Sequence, residues 1–129
     1  MTQGILLFAH GARDPDWARP FEAVLESIRA ASPNTPAELA FLEFMSPDIA
    51  GAAQRLAKAG CTRVSVVPLF LGAGGHVRKD LPALLNELSA RHSTVQWTLC
   101  PAIGEVPAVI EAMASSALAL SAAVVYIPR

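Results

Sequence analysis

Short apolar runs alternate along this chain with longer segments in which apolar residues recur at helical spacing. The runs at 4–9, 37–44, 63–70 and 94–99 have the length and the aliphatic content of strands. Strands joined by helical crossovers form a parallel sheet with helices on both faces. The sequence therefore predicts an α/β fold with about four strands. An order of 2-1-3-4 would follow the flavodoxin-like rule.

Residues that start and stop helices lie between these runs. Asp14-Pro15 and Ser46-Pro47 each place a capping side chain before a proline, as at the start of a helix. Ser32-Pro33 ends the first helix, since the residue before a proline avoids the helical conformation. Gly60 is the residue expected just beyond the second helix. Two helices are thus predicted between the first three strands.

The second half of the chain continues the alternation. Residues 71–76 are expected to form a Gly-rich loop, and Pro82 is expected in the first turn of the third helix, where a missing N–H costs least. A fourth helix is expected from near Glu105 to about Leu118. The residues at 124–126 are expected to add a short strand.

Composition limits the class of protein. A chain of 129 residues is about one domain, so residues 1–129 are predicted to form a single domain. Its hydrophobic content of 53% excludes disorder, and its net charge of -1 provides no basic field for nucleic acid. The charge-free stretch at 112–128 falls just short of the ~18 apolar residues of a membrane span. Neither nucleic acid nor a membrane is an expected partner.

The two cysteines, Cys61 and Cys100, lie far apart in the sequence. They have neither the spacing of a zinc site nor the number of a disulfide framework. Reduced thiols are typical of the cytoplasm, which is the expected location.

Chemically active residues follow several of the predicted strands. Strand 1 ends in His10-Gly11, strand 2 ends in Glu43-Phe44-Met45, and strand 3 leads through the Gly-rich loop to His76. Ligands of open α/β sheets bind beyond the carboxyl ends of the strands, and neighbouring strands are about 4.8 Å apart. Two imidazoles and a carboxylate suit Co²⁺, Ni²⁺, Fe²⁺ or Zn²⁺ and leave coordination positions open.

Each of these residues also has a structural interpretation. His10 alone could be a core histidine bonded to a carbonyl, His76 a helix-capping or surface residue, and Glu43 a solvated strand end. Their expected meeting at one edge of the sheet favours a functional site.

The loop Gly72-Ala73-Gly74-Gly75 could cradle a phosphate at a helix start, but it lacks the Lys-Ser/Thr ending and the GxGxxG spacing of nucleotide sites. Glycines equally allow a flat ligand to approach the backbone. Four apolar residues could wall such a ligand, although at least two are expected in the core: Phe44, Met45, Phe70 and Leu71. Local cations for a polycarboxylate ligand are Arg13, Arg19, Arg78 and Lys79.

Three segments resemble the class II chelatases, and most closely the short, single-domain sirohydrochlorin cobaltochelatases and ferrochelatases. They are LLFAHGARDP at 6–15, FLEF at 41–44 before Ser46-Pro47, and PLFLGAGGHVRKDLP at 68–82. The segment around His76 is the most specific. The likeness extends over nearly the whole chain.

The resemblance implies a lyase that inserts Co²⁺, Fe²⁺ or Ni²⁺ into sirohydrochlorin, on the way to cobalamin or sirohaem. It implies that His10 and His76 hold the metal, that His10 accepts a pyrrole proton, and that Glu43 is catalytic beside the macrocycle. No cofactor beyond the metal is expected. The expected substrate-binding residues are Arg13, Glu43, Met45, Leu71, Gly72, Ala73, Gly74, Gly75, His76 and Arg78.

Two further points follow from the resemblance. The family usually has Ser after His-Gly, and here the residue is Ala12, so the local role of position 12 is open. Larger relatives carry two such domains in tandem, so a single domain implies a homodimer.

Two other functions compete with the chelatase. A carrier could hold a metal or a tetrapyrrole without turnover, because it would use the same ligands. A histidine phosphatase would also begin from His10-Gly11, but that chemistry usually sets Arg before the histidine, and Ala9 is there instead.

Overall fold

The computed structural model describes residues 2–72 and 74–123, and of residues 75–78 it describes the backbone alone. Four parallel strands form one sheet in the order β2-β1-β3-β4. The strands are β1 (Thr2–Ala9), β2 (Ala37–Phe41), β3 (Cys61–Pro68) and β4 (Gln96–Leu99). The helices are α1 (Arg19–Ala31), α2 (Ile49–Lys58), α3 (Gly75–Arg91) and α4 (Pro107–Ala122), with 3₁₀ turns at Pro15–Ala18 and Ile103–Glu105. The predicted fold class and strand order are confirmed.

Helices cover both faces of the sheet, and each face has its own apolar cluster. On one face, α2 and α3 pack over residues that include Leu6, Phe8 and Val66. On the other face, α1 packs over Leu7 and Phe41. The sheet is therefore buried from both sides along β1, as its unbroken apolar sequence indicates.

The predicted strand limits are wrong by up to three residues. β2 ends at Phe41 rather than residue 44, because the Phe41 N–H donates to the carbonyl of Pro47 (2.9 Å) and the chain turns back. β3 is shifted two residues toward the N-terminus, and β4 begins at Gln96 rather than Thr94.

The first two helices also begin later than predicted. The Asp14 side chain accepts from the N–H of Asp16 (2.9 Å), but it caps a 3₁₀ turn, and α1 begins only at Arg19. The cap of α2 is Asp48, which accepts from the N–H of Gly51 (2.8 Å), rather than Ser46. Gly60 has a φ of +88° directly after the α2 cap, as predicted.

The third helix begins earlier than predicted. α3 starts at Gly75, so His76 belongs to its first turn rather than to the loop, and Pro82 lies inside the helix. Leu81 and Leu88 are buried against the sheet. Their packing outweighs the backbone hydrogen bond that the proline removes.

The fourth helix follows the 3₁₀ turn at Ile103–Glu105 and reaches Ala122, four residues beyond the predicted end. None of its residues is buried. The strand predicted at 124–126 lies outside the described residues. No helix in the described part of the chain is long and apolar enough to cross a membrane.

Candidate active site

The His10 side chain lies just beyond the carboxyl end of β1 and is exposed. Its ring packs on the ring of Phe70, with centroids 4.2 Å apart and planes at 31°. Phe70 follows β3 and is itself buried, with 2% of its surface exposed. A core aromatic ring thus supports one side of an imidazole that solvent can reach.

The backbone after β2 packs directly on the backbone after β1. The Glu43 N–H donates to the carbonyl of His10 (3.0 Å), and the Leu42 N–H donates to that of Ala9 (2.9 Å). Gly11 has a φ of +90°, and a Cβ there would lie 1.9 Å from the Glu43 carbonyl oxygen. The structure therefore brings His10 and Glu43 to the same edge of the sheet. Glu43 stands two residues beyond its strand rather than at the strand end.

The turn after β2 presents an aromatic ring to solvent. Phe44 has a φ of +67°, and the Met45 N–H donates across it to the carbonyl of Glu43 (2.8 Å). The Phe44 side chain is 58% exposed, and the Arg13 guanidinium carbon lies 5.0 Å from its ring centroid. Met45 is half-buried against the α1 side of the core. The four residues proposed as walls thus divide: Phe70 is core, Met45 is partly core, and Phe44 and Leu71 are exposed.

The Gly-rich segment lies at the same edge, on the β3 side. Leu71 is 71% exposed, and Gly72 and Gly74 are exposed. Ala73 lies outside the described residues. Gly75, His76 and Arg78 form the first turn of α3, where the structure describes only the backbone.

The side chains described in 2–72 and 74–123 contain no group of three or more His, Cys, Asp or Glu that could hold a metal ion. The His76 side chain is not among them. The pairing of His10 with His76 around a metal therefore stays a prediction.

A cleft of about 530 Å³ opens beside this edge, between α1, β2 and the turn that carries Phe44. The part of the cleft near the carboxyl edge of the sheet is lined by Ala12, Arg13, Phe44 and Met45. At its far end Glu38 pairs with two arginines, Arg29 (2.9 Å) and Arg55 (3.2 Å). No pattern in the sequence indicated this cleft, because it depends on how far the turn after β2 leaves the sheet.

The family model named CbiX matches residues 4–119 of the chain. Among curated proteins, the sirohydrochlorin ferrochelatase of Bacillus subtilis (strain 168) is 30% identical over 113 residues, which are 88% of this chain and 43% of that protein. The sirohydrochlorin cobaltochelatase of Methanopyrus kandleri is 30% identical over 82 residues, 64% of this chain and 57% of that protein. The chain thus spans about half the length of these two relatives.

Solved structures give the same grouping. A protein of Marinobacter aquaeolei VT8, named as a CbiX protein of cobalamin (vitamin B12) biosynthesis, superposes with a TM-score of 0.84 at 33% identity, over 95% of this chain and 99% of that one. The sirohydrochlorin chelatase SirB of Bacillus subtilis subspecies spizizenii, in complex with cobalt, superposes with a TM-score of 0.78 at 29% identity. That match covers 89% of this chain and 49% of the SirB chain.

Proposed function

The chain belongs to the CbiX family of class II chelatases, and we propose that it inserts Co²⁺, Fe²⁺ or Ni²⁺ into sirohydrochlorin. The observation that carries this proposal is an exposed imidazole, His10, held beside the backbone of Glu43 at the carboxyl edge of a parallel sheet. Ligands of open α/β sheets bind at this edge.

The chemistry needs a metal-binding group and proton acceptors in one place. Two pyrrole protons leave the macrocycle as the metal enters, and imidazole and carboxylate are acceptors suited to neutral pH. In the proposed reaction His10 and His76 hold the incoming ion. As the ion passes to the macrocycle, the ring nitrogen that His10 frees and the Glu43 carboxylate each take up one of the two pyrrole protons. The ion is a substrate, so two protein ligands with open positions allow its transfer. No further cofactor is required.

The macrocycle brings several carboxylates, and the chain has a local cation for them. The Arg13 side chain is exposed and forms no ion pair within the described part of the chain, whereas Arg19 pairs with Asp16 at 3.0 Å. We assign Arg13 and Arg78 to carboxylates of the substrate, and the segment 71–75 to the face of the ring, where glycines allow close approach.

The direct test is metal insertion followed by absorbance, with metal-free sirohydrochlorin and Co²⁺ or Fe²⁺. Wild-type protein should exceed the spontaneous rate, and His10→Ala or His76→Ala should lower the rate by about 10²–10⁴-fold. His92→Ala, at the opposite end of the sheet, is the matched control and should retain activity. Binding of sirohydrochlorin without any rate above the spontaneous reaction would instead identify a carrier.

A second variant tests the role of Glu43. Glu43→Gln keeps the size of the side chain and removes its capacity to accept a proton at neutral pH. The insertion rate should fall about 100-fold, with a smaller change in Co²⁺ affinity measured by calorimetry. An equal loss of rate and affinity would make Glu43 a metal ligand instead.

The proposed unit acts as a homodimer in the cytoplasm. Helix α4 supports the dimer: it contains one charged residue, Glu111, and it leaves Leu118 and Leu120 73% and 74% exposed. Sedimentation should give twice the mass of 13.6 kDa, and Leu118→Glu with Leu120→Glu should give the single mass. A wild-type monomer would refute the dimer.

A further inference from the structure

Among the side chains that the structure describes, Phe44 is the one phenylalanine left exposed, and it lies at the edge where the proposed reaction takes place. We propose that Phe44 and Arg13 form a preformed platform for one carboxylate-bearing pyrrole ring of the substrate, an inference that rests on the proposed function. The Phe44 ring contacts the flat face of the pyrrole, and the Arg13 guanidinium binds the carboxylate at its edge. Phe44 is then a substrate-binding residue that selects for carboxylated macrocycles.

The backbone at Phe44 is the first observation. A φ of +67° is unfavourable for a bulky residue, and the hydrogen bond from Met45 to Glu43 closes a tight three-residue turn around it. Strain of this kind costs about 1–3 kcal/mol and concentrates at ligand-binding sites. A glycine would remove the strain, yet the chain carries at this position a phenylalanine whose side chain is 58% exposed.

The burial of the other phenylalanines is the second observation. Phe8, Phe41 and Phe70 are 1%, 6% and 2% exposed, and Phe21 of α1 is half-buried, whereas Phe44 is 58% exposed. The Phe44 ring therefore contributes little to the core. Its exposed face has the size and the polarisability that stacking on a conjugated ring requires.

Arg13 supplies the charge. Its guanidinium lies over the Phe44 ring at 5.0 Å, a contact that uses none of its five N–H donors. The arginines at the far end of the cleft, Arg29 and Arg55, are both engaged by Glu38. Arg13 remains available for a ligand carboxylate, which a planar guanidinium can bind through two hydrogen bonds.

The position of the pair relates it to the chemistry. Phe44 directly follows Glu43, and Arg13 lies three residues after His10. The Glu43 N–H donates to the His10 carbonyl (3.0 Å), so the turn that carries Phe44 is joined to the backbone at His10. A pyrrole seated on Phe44 would therefore lie at the same edge of the sheet as the proposed proton acceptors. The platform would fix the orientation of the macrocycle at its periphery while its centre faces the metal.

Phe44→Gly separates binding from folding, because it removes the ring and also relieves the positive φ. We expect an equal or higher melting temperature, a KM for sirohydrochlorin raised about tenfold, a kcat within about twofold, and unchanged Co²⁺ affinity. Val24→Ala, an exposed apolar residue of α1, is the control and should leave KM unchanged.

Arg13→Gln should also raise KM about tenfold, whereas Arg91→Gln at the opposite end of the sheet should not. The double variant Phe44→Gly with Arg13→Gln should raise KM by less than the product of the two single fold-changes, because each residue depends on the other for its effect.

An unchanged KM in Phe44→Gly, with or without a loss of stability, would overturn the platform. A change in the sedimentation mass of Phe44→Gly would also overturn it, because the ring would then serve the contact between subunits. The two levels of proposal can be told apart. Absence of insertion by the wild-type protein refutes the chelatase, and absence of an effect in Phe44→Gly on an active enzyme refutes only the platform.

Discussion

The two ends of the sheet differ in what their turns leave exposed. At the amino end, the turn before β2 closes on itself: the hydroxyls of Ser32 and Thr35 share a hydrogen bond, and the Ile5 N–H donates to the carbonyl of Pro36 (2.9 Å). At the carboxyl end, Phe44 takes a strained conformation, and Phe44 and Leu71 remain exposed. Backbone strain reduces stability, and apolar side chains that stay exposed contribute little to it.

The comparison shows that backbone strain and exposed apolar side chains occur at the carboxyl end, where the proposed reaction takes place, whereas the turn at the amino end is closed by its own hydrogen bonds. At the amino end, the turn before β2 follows local preferences, since its backbone and its hydroxyl groups are hydrogen-bonded within the turn. The carboxyl end departs from them at the residues that surround His10. Substitutions at the two ends should accordingly separate activity from stability.

Gly11→Ala should have the largest effect, on both properties. The new Cβ would lie 1.9 Å from the Glu43 carbonyl oxygen, at a φ of +90°. The clash with the Glu43 carbonyl is relieved only if the turn after β2 moves away from His10. We expect a loss of about 2–5 kcal/mol in the free energy of unfolding by urea, and an insertion rate lowered at least ~100-fold in the folded fraction. A variant that retains the wild-type rate would show that this backbone contact does not position the site.

Gly4→Ala tests the amino end with a milder clash, against a side chain rather than against backbone. Its Cβ would lie 2.7 Å from Sγ of the buried Cys61, so the free energy of unfolding should fall by about 1–3 kcal/mol. The rate per folded molecule should stay within twofold, because the clash lies far from His10. Adding Cys61→Ala removes the sulfur and should restore part of the stability. A loss of rate in folded Gly4→Ala would remove the separation between the two ends.

Gly60→Ala isolates the cost of a positive φ from the cost of a clash. Gly60 has a φ of +88°, close to that of Gly11, but no atom lies within 4 Å of a Cβ placed there. Only backbone strain remains, so the free energy of unfolding by urea should fall by about 1–2 kcal/mol. The insertion rate should stay unchanged. A loss as large as that of Gly11→Ala would mean that strain alone, rather than contact with Glu43, explains the Gly11 result.

The fold could be predicted from the sequence because mostly apolar segments of strand length alternate with segments in which apolar residues recur at helical spacing. The order of the strands followed from the topology rules for parallel sheets. Element ends were less predictable. Pro82 suggested a helix start, yet packing of Leu81 and Leu88 extends α3 back to Gly75. Ser46-Pro47 suggested a cap, yet Asp48 serves that role.

The candidate site was predicted in part. The positions of His10 and Glu43 follow from strand ends, which periodicity locates to within a few residues. The contact of His10 with Phe70 and the exposure of Phe44 depend on side-chain packing and on a strained turn, and no pattern in the sequence encodes either. Phe44 would have been assigned to the core by residue type alone.

Cys61 and Cys100 offer the finest comparison of the two ends, because one begins β3 at the amino end and the other follows β4 at the carboxyl end. Burial raises the pKa of the Cys61 thiol above its ordinary value of 9.0. The unfolded chain then releases this proton at lower pH than the folded chain. The stability associated with Cys61 is therefore complete below pH 9 and decreases as the pH rises further.

Between pH 7.5 and pH 10, the free energy of unfolding by urea should decrease less in Cys61→Ala than in the wild type. Alkylation of the native protein should modify half-buried Cys100 more than about tenfold faster than Cys61. Equal decreases, or equal labelling, would show that the amino end is as open to solvent as the end that carries His10.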